Sequence, residues 1–129
     1  MNLLLDTAAF LWLCAGGKRL SAAAKTALAN PANNVYLSAV TAWEIGLKQA
    51  KGKLELPAPA RAWFPAMVDH HRLSVLALEA GTAIAATQLP GLHADPFDRV
   101  LVATALERDL TMLTPDPLIA KYPNVKTLW

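Results

Sequence analysis

The chain has 129 residues and a formal net charge of +2, and charged residues make up only 17% of it. This length predicts a single domain, residues 1–129, with a core that needs no disulfide or metal to stabilise it. The low charge excludes a polybasic nucleic-acid-binding arm and a disordered acidic tail. The hydrophobic share of 54% indicates that a second subunit or a bound partner covers some apolar surface.

The sequence also argues against a membrane or secreted protein. No run approaches the roughly 18 uninterrupted apolar residues that a membrane-spanning helix requires. The N-terminal segment Met1–Leu5 has no basic residue and is followed by Asp6, which is atypical of a signal peptide. Cys14 is the single cysteine, so no intramolecular disulfide is possible. A reducing, cytoplasmic compartment is therefore expected.

Short apolar runs alternate with stretches of helical spacing along the whole chain. The predicted strands are Leu3–Leu5, Val35–Leu37, Leu73–Leu78, Thr111–Thr114 and Val125–Leu128. The predicted helices are Thr7–Leu13, Leu20–Asn30, Thr41–Lys51, 58–70, Glu79–Leu89, Pro96–Arg108 and Pro115–Ala120. Ser21 is a candidate N-cap for the second helix, and Pro65 is expected to break or kink the helix over 58–70.

The alternation of strands and helices decides the fold class. Leu3–Leu5 is an uninterrupted apolar run, as expected of a strand buried on both faces of a parallel sheet. The predicted fold is a three-layer α/β/α sandwich with a central parallel sheet of four to five strands. In such folds ligands bind outside the carboxyl ends of the strands, so functional residues are expected at that edge.

Four acidic residues are predicted to lie at this edge. Asp6 directly follows the first strand, and Asp116 comes two residues after the strand that ends at Thr114. Glu44 and Asp98 each lie in the first turn of a predicted helix that follows the sheet. Because helices returning from a parallel sheet start at its carboxyl edge, all four side chains can converge there.

Two interpretations of these acids remain open from their spacing. Each acid alone is explained by helix capping: Asp95-Pro96-Phe97-Asp98 is typical of a helix start, and Thr41 to Glu44 has the capping-box spacing. Together, however, like charges at one edge repel unless a cation lies among them. Hard divalent cations prefer oxygen ligands, and Mg²⁺ also binds substrate phosphates. The second interpretation is therefore a metal site for phosphoryl chemistry.

The residues around these acids resemble a known family. The motifs are Leu3-Leu4-Leu5-Asp6-Thr7, Leu37-Ser38 with Trp43-Glu44-Ile45, Leu89-Pro90 with His93 and Asp95-Pro96-Phe97-Asp98-Arg99, and Leu113-Thr114-Pro115-Asp116. In this order and spacing they resemble the PIN-domain ribonucleases, and within them the VapC-type toxins of bacterial toxin–antitoxin pairs. The resemblance implies hydrolysis of single-stranded or looped RNA with Mg²⁺ or Mn²⁺. It also implies a homodimer and a VapB-type antitoxin whose tail lies in an apolar groove leading to the acids.

The resemblance also assigns roles to individual residues. Metal binding and catalysis fall to Asp6, Glu44, Asp98 and Asp116. Asp95 is a helix cap, a ligand acting through water, or a direct ligand. The small polar residues expected to brace these acids are Thr7, Ser38 and Thr114. Pro115 stands where the family often has a basic residue or Asn between the Thr and Asp of the last motif.

Basic residues near the acids are candidates for RNA binding. The four candidates are Lys48, Lys51, Lys53 and Arg99, which would contact phosphates without reading sequence. The competing interpretation is that the lysines solvate a helix and that Lys48 pairs with Glu44 four residues earlier. His93, in the loop before Asp95, is expected to be a surface histidine. Cys14 is expected to be an inert thiol.

Two other functions compete with an active nuclease. A phosphatase with an aspartate nucleophile after the first strand needs a second aspartate two residues on, where this chain has Ala8. A catalytically inactive PIN-like module that binds RNA or protein would be expected to lack at least one acid of the quartet. Cleavage that depends on a divalent metal separates an active nuclease from such a module.

Overall fold

A computed structural model describes all residues, 1–129, and contains one five-stranded sheet. The strands are β1 (Asn2–Leu5), β2 (Asn34–Ser38), β3 (Ser74–Leu76), β4 (Thr111–Leu113) and β5 (Lys126–Leu128). They lie in the order β3-β2-β1-β4-β5, and every neighbouring pair is parallel. The predicted parallel sheet is confirmed, with five strands.

Seven helices connect or follow the strands. They are α1 (Thr7–Cys14), α2 (Ala22–Ala29), α3 (Ala39–Ala50), α4 (Ala60–His70), α5 (Ala80–Thr87), α6 (Pro96–Arg108) and α7 (Pro117–Ala120). All of them are too short or too polar to span a bilayer. Ser21 caps α2 as predicted, its Oγ accepting a hydrogen bond from the Ala24 N–H at 3.0 Å.

The predicted bounds of six helices are off by one or two residues, and two of these helices differ for a physical reason. Helix α3 begins two residues earlier than expected because the Oγ of Ser38 caps it by accepting a hydrogen bond from the Val40 N–H at 3.1 Å. Helix α4 continues through Pro65, so of the two expected outcomes, a break or a kink, the break is excluded. Pro65 has no N–H to donate to the carbonyl four residues earlier. The buried Trp63 of the same helix packs edge-on against Phe10, with ring centroids 5.8 Å apart, and anchors α4 to the core.

The central strand β1 supplies the core of both faces of the sheet. Leu3 and Leu5 belong to one buried cluster, which also contains Phe10 of α1, and Leu4 belongs to a second cluster with Val102 of α6. All of these side chains are fully buried. Because successive strand residues point to opposite faces, β1 must be apolar at every position. Helices on both faces complete the three predicted layers.

The strand order places a crevice beside the end of β1. The chain leaves β1 for β2 and β3 on one side, and returns to β4 and β5 on the other. Ligands of open α/β sheets bind at the carboxyl edge where the strand order reverses in this way. The Asp6 N–H donates a hydrogen bond to the Leu113 carbonyl at 3.3 Å, so the segments that follow β1 and β4 lie side by side.

Candidate active site

The carboxyl edge of the sheet holds a cleft of about 290 Å³ lined by five acids. The acids are Asp6, Glu44, Asp95, Asp98 and Asp116. They come from four separate segments of the chain: the end of β1, helix α3, the start of α6 and the residue before α7. The four acids singled out in the sequence, together with Asp95, therefore meet in one cleft.

Three of these acids also cap helices. In each case the Oδ1 atom accepts a hydrogen bond from a backbone N–H: Asp6 from Ala9 (2.7 Å), Asp95 from Phe97 (2.9 Å) and Asp116 from Leu118 (2.9 Å). Capping leaves the second carboxylate oxygen available to other partners. Helix capping by these three acids and their meeting in one cleft are therefore compatible.

Two threonines orient the buried acids. The Thr114 hydroxyl donates to Oδ2 of Asp6 at 2.5 Å and accepts a hydrogen bond from the Asp116 N–H at 3.0 Å. The Thr7 hydroxyl donates to Oε1 of Glu44 at 2.7 Å. Both hydroxyls and both acids are buried, so these hydrogen bonds fix the carboxylates that they contact.

Residues of the α3 segment take other roles than expected. Ser38, expected to brace an acid, caps α3 instead, and no hydrogen bond joins it to an acid. Because α3 starts early, Glu44 is the sixth residue of the helix and lies in its second turn. Thr41 is not the predicted capping-box residue; it is fully buried, with its Oγ1 3.3 Å from the Oγ1 of Thr7.

His93 is a site residue that the sequence did not reveal as one. Its Nε2 lies 2.8 Å from Oδ2 of Asp116 and 3.3 Å from Oδ2 of Asp98. One potential ligand atom from each of these three residues lies within 4.8 Å of the others. The His93 side chain is only 13% exposed, so the expected surface position is wrong. Its closeness in sequence to Asp95 and Asp98 was the available signal.

Arg99, a predicted RNA contact, binds its own chain. Its guanidinium donates hydrogen bonds to the carbonyl oxygens of Ala86 (3.1 Å), Leu89 (2.9 Å), Pro90 (3.0 Å) and His93 (3.3 Å) and to the Tyr122 hydroxyl (3.4 Å). These contacts join the loop between α5 and α6 to the first turn of α6. All three guanidinium nitrogens therefore bind the chain itself, at carbonyls of α5 and of the loop that follows it and at Tyr122.

The lysines differ in their relation to the cleft. Lys48 Nζ lies 2.5 Å from Oε2 of Glu44, and this hydrogen bond raises the pKa of Lys48. Lys51 is the C-cap of α3, Lys53 follows it, and both are exposed. Neither of them lines the cleft. Of these three lysines, only Lys48 is therefore placed to balance the charge of an acid in the cleft.

The cleft holds more negative charge than its own cations balance. Burial, and after it the nearby Asp95, raise the pKa of Asp98 to about 7, while His93 opposes the rise. Burial also raises the pKa of Asp6, against the hydrogen bonds from Thr114 and Ala9. A divalent cation would favour the ionised form of these carboxylates. A set of donors made mostly of carboxylate oxygens fits Mg²⁺ or Mn²⁺.

Comparison with known families agrees with this geometry. The family described as "PIN domain" matches residues 3–125. The chain belongs to the PIN-domain family. This PIN domain is 29% identical over 132 residues to Ribonuclease VapC22 of Mycobacterium tuberculosis, an alignment that covers 99% of this chain and 98% of that protein.

Solved structures share the same PIN-domain fold. The DNA-bound VapBC complex from Salmonella typhimurium contains a chain with a TM-score of 0.72 and 19% identity, and the match covers 99% of this chain and 97% of that one. VapBC2 from Rickettsia felis, bound to a promoter DNA fragment, gives a TM-score of 0.71 at 14% identity, covering 99% and 98%. At these identities the likeness concerns the fold.

Proposed function

We propose that this PIN domain is a divalent-metal-dependent endoribonuclease and the toxin of a toxin–antitoxin pair. The observation that carries the proposal is the meeting of five carboxylates from four chain segments in one cleft. Without a cation, burial and mutual repulsion raise the pKa of Asp6 and Asp98. The similarity to Ribonuclease VapC22 supports RNA as the substrate.

The acids would bind the cation in different ways. The potential ligand atoms of Asp98 and Asp116 lie within 4.8 Å of each other, so we propose that both bind the ion, with Asp6 at the adjoining strand end. Glu44 would act through water, since Thr7 and Lys48 already bind its two oxygens. The chemistry that a bound Mg²⁺ or Mn²⁺ supplies is activation of a water and neutralisation of charge on the phosphate.

The remaining residues would hold this arrangement. The Thr114 hydroxyl fixes Asp6, and the backbone N–H groups at the starts of α1, α6 and α7 fix the three capping aspartates. These hydrogen bonds orient carboxylate oxygens before a cation or RNA arrives. Preorganisation of this kind lowers the reorganisation needed in the reaction.

The proposed antitoxin site lies next to the cleft. An apolar groove of about 360 Å³ is lined mostly by hydrophobic residues of α1, the segment 54–57 and Trp63. Leu11 and Trp12 line both this groove and the acidic cleft. An apolar tail of a VapB-type antitoxin in the groove would therefore reach the acids. Binding of a synthetic tail peptide that inhibits cleavage would support this role.

A homodimer is the second proposed assembly. Trp43 is 62% exposed and Ile84 is 60% exposed, and large apolar side chains this exposed fit a surface that a second copy covers. Sedimentation at increasing concentration would test the dimer, with Trp43→Ser expected to shift the protein toward the monomer. The lone Cys14 fits a cytoplasmic protein.

The nuclease activity is tested by incubating the purified protein with a mixed RNA pool in Mg²⁺, Mn²⁺ or EDTA, and mapping the ends by sequencing. We expect cuts that EDTA removes and Mn²⁺ restores. Asp98→Asn should abolish cleavage, while Asp69→Asn, a matched change at an exposed position of α4, should leave it unchanged. Binding of RNA without any metal-dependent cutting would instead favour the inactive module.

A further inference from the structure

We infer that His93 positions the carboxylates of Asp116 and Asp98 by donating a hydrogen bond from Nε2, and that it is not a ligand of the cation. The inference rests on the proposed metal site for its functional meaning. The potential ligand atom of His93 lies within 4.8 Å of those of Asp98 and Asp116. Proximity alone therefore does not show whether His93 binds a cation or positions the two acids. The two ring nitrogens, however, face partners of opposite character.

The partner of Nδ1 is a group that can only donate. The Asp95 N–H donates a hydrogen bond to Nδ1 of His93 at 3.1 Å. Nδ1 must therefore present a lone pair, and it carries no hydrogen. A neutral imidazole has one ring hydrogen, so that hydrogen lies on Nε2.

The partner of Nε2 is a group that can only accept while it is ionised. Nε2 lies 2.8 Å from Oδ2 of Asp116, with Oδ2 of Asp98 further away at 3.3 Å. A hydrogen on Nε2 satisfies this geometry. Coordination of a cation by Nε2 would require the hydrogen to move to Nδ1, where it would meet the Asp95 N–H. Both hydrogen bonds of the ring would then be lost.

The backbone of His93 is held as firmly as its ring. The His93 N–H donates to the Tyr122 hydroxyl at 2.9 Å, and the His93 carbonyl accepts from Arg99 at 3.3 Å. Tyr122 is buried, and Arg99 also binds the Leu89 and Pro90 carbonyls. The imidazole is therefore held in place by α6 and by the segment after α7. Arg99 and Tyr122 act on the site through His93.

This arrangement gives the site a donor that draws two acids together. Asp98 and Asp116 repel each other when both are ionised, and the Nε2 hydrogen lies between them. An ionised carboxylate has about four acceptor positions, so Asp116 can bind His93, cap α7 and still coordinate an ion. Residues that orient metal ligands in this way often change metal affinity by about 10–100-fold when they are replaced.

The first experiment measures the ring tautomer in the full chain. Two-bond ¹⁵N–¹H correlation spectra distinguish protonated from unprotonated ring nitrogens, and the His93 signals are assigned by their loss in His93→Gln. We expect a protonated Nε2 and an unprotonated Nδ1 in EDTA, unchanged after addition of Mg²⁺. A hydrogen on Nδ1, or transfer of the hydrogen from Nε2 to Nδ1 when Mg²⁺ binds, would overturn the inference.

The second experiment uses two neutral replacements that each keep one half of the ring's hydrogen bonding. The side-chain amide of His93→Gln reaches the position of Nε2 and can donate to Asp116, whereas His93→Asn reaches only the position of Nδ1. Titration of Mn²⁺ by calorimetry should show a loss of affinity of about 10-fold in the Asn variant and less than about 3-fold in the Gln variant. Equal losses in both folded variants would contradict a positioning role. Mn²⁺ binding with this pattern but no RNA cleavage would support the inference and count against the nuclease proposal.

Discussion

The metal-free cleft should make the protein less stable as the pH rises. Burial and neighbouring acids raise the pKa of Asp98 from 3.8 to about 7 in the folded state. Between these two values the folded state binds a proton at Asp98 that the unfolded chain has released. Stability therefore falls as the pH rises from about 4 to about 7 and stays low above that range.

The size of this effect follows from the two pKa values. A difference of about 3 between folded and unfolded pKa corresponds to at most about 4 kcal/mol of unfolding free energy, because each unit is worth about 1.4 kcal/mol. The cleft is open to water and its charges are screened, so we expect about 1–2 kcal/mol. Asp98→Asn removes the ionisation and should stabilise the metal-free protein by this amount near pH 8.

The assay is urea unfolding in EDTA, followed by the fluorescence of the four tryptophans. The advantage of Asp98→Asn over wild type should shrink as the pH falls from about 8 to about 4.5. Mn²⁺ should stabilise the wild type more than the variant, because a ligand that binds only the folded state adds to its stability. An advantage that is absent near pH 8, or that grows as the pH falls, would refute the reasoning. Asp69→Asn serves as the control.

Substitutions at three further positions test the cleft and the residues that hold its acids. Thr114→Val leaves Oδ2 of the buried Asp6 without its hydrogen-bond donor. Urea unfolding should show that this lowers the unfolding free energy by about 2 kcal/mol. Thr114→Ser keeps a hydroxyl and should recover most of the lost stability. Lys48→Met removes the cation paired with Glu44. Calorimetry at low salt should show that Mn²⁺ binds at least about 3-fold more tightly. An unchanged Mn²⁺ affinity would contradict this prediction. Asp95→Asn keeps an N-cap of equal quality and should change stability by less than about 0.5 kcal/mol, whereas a 10-fold loss of Mn²⁺ affinity would identify Asp95 as a direct ligand.

Local sequence patterns were sufficient to predict most of the strands and helices. The apolar run at Leu3–Leu5 indicated a strand buried on both faces, and that strand is the centre of the sheet. The start of α6 was predicted correctly at Pro96, because the N-cap Asp95 and a proline at the first helical position mark it. The start of α3 was wrong because Ser38 and Thr41 are both good caps. The choice between them depends on where β2 ends, which is set by its pairing with β1 and β3.

The position of the acids could be predicted from the topology of the sheet. The roles of the residues that hold the acids could not. The convergence of Asp6 and Asp116 follows from parallel strands whose ends share one edge. The roles of His93 and Arg99 depend on hydrogen bonds to loop carbonyls and to Tyr122, which lies 29 residues beyond His93 in the chain. No local periodicity describes the course of that loop. Arg99, next to an acid in sequence, was therefore assigned to RNA while its donors face its own chain.

In the proposed metal site, helix capping and metal binding would share each carboxylate, because the cap uses only one of its oxygens. In Asp6 and Asp116 the Oδ1 atom accepts a backbone N–H, while Oδ2 binds Thr114 and His93 respectively. The positive end of each helix favours the ionised carboxylate, whereas burial in the cleft opposes it at Asp6. Replacement by Asn keeps an acceptor for the cap and removes the charge. The Asn variants therefore measure the charge of the cluster separately from the stability of the helices that begin there.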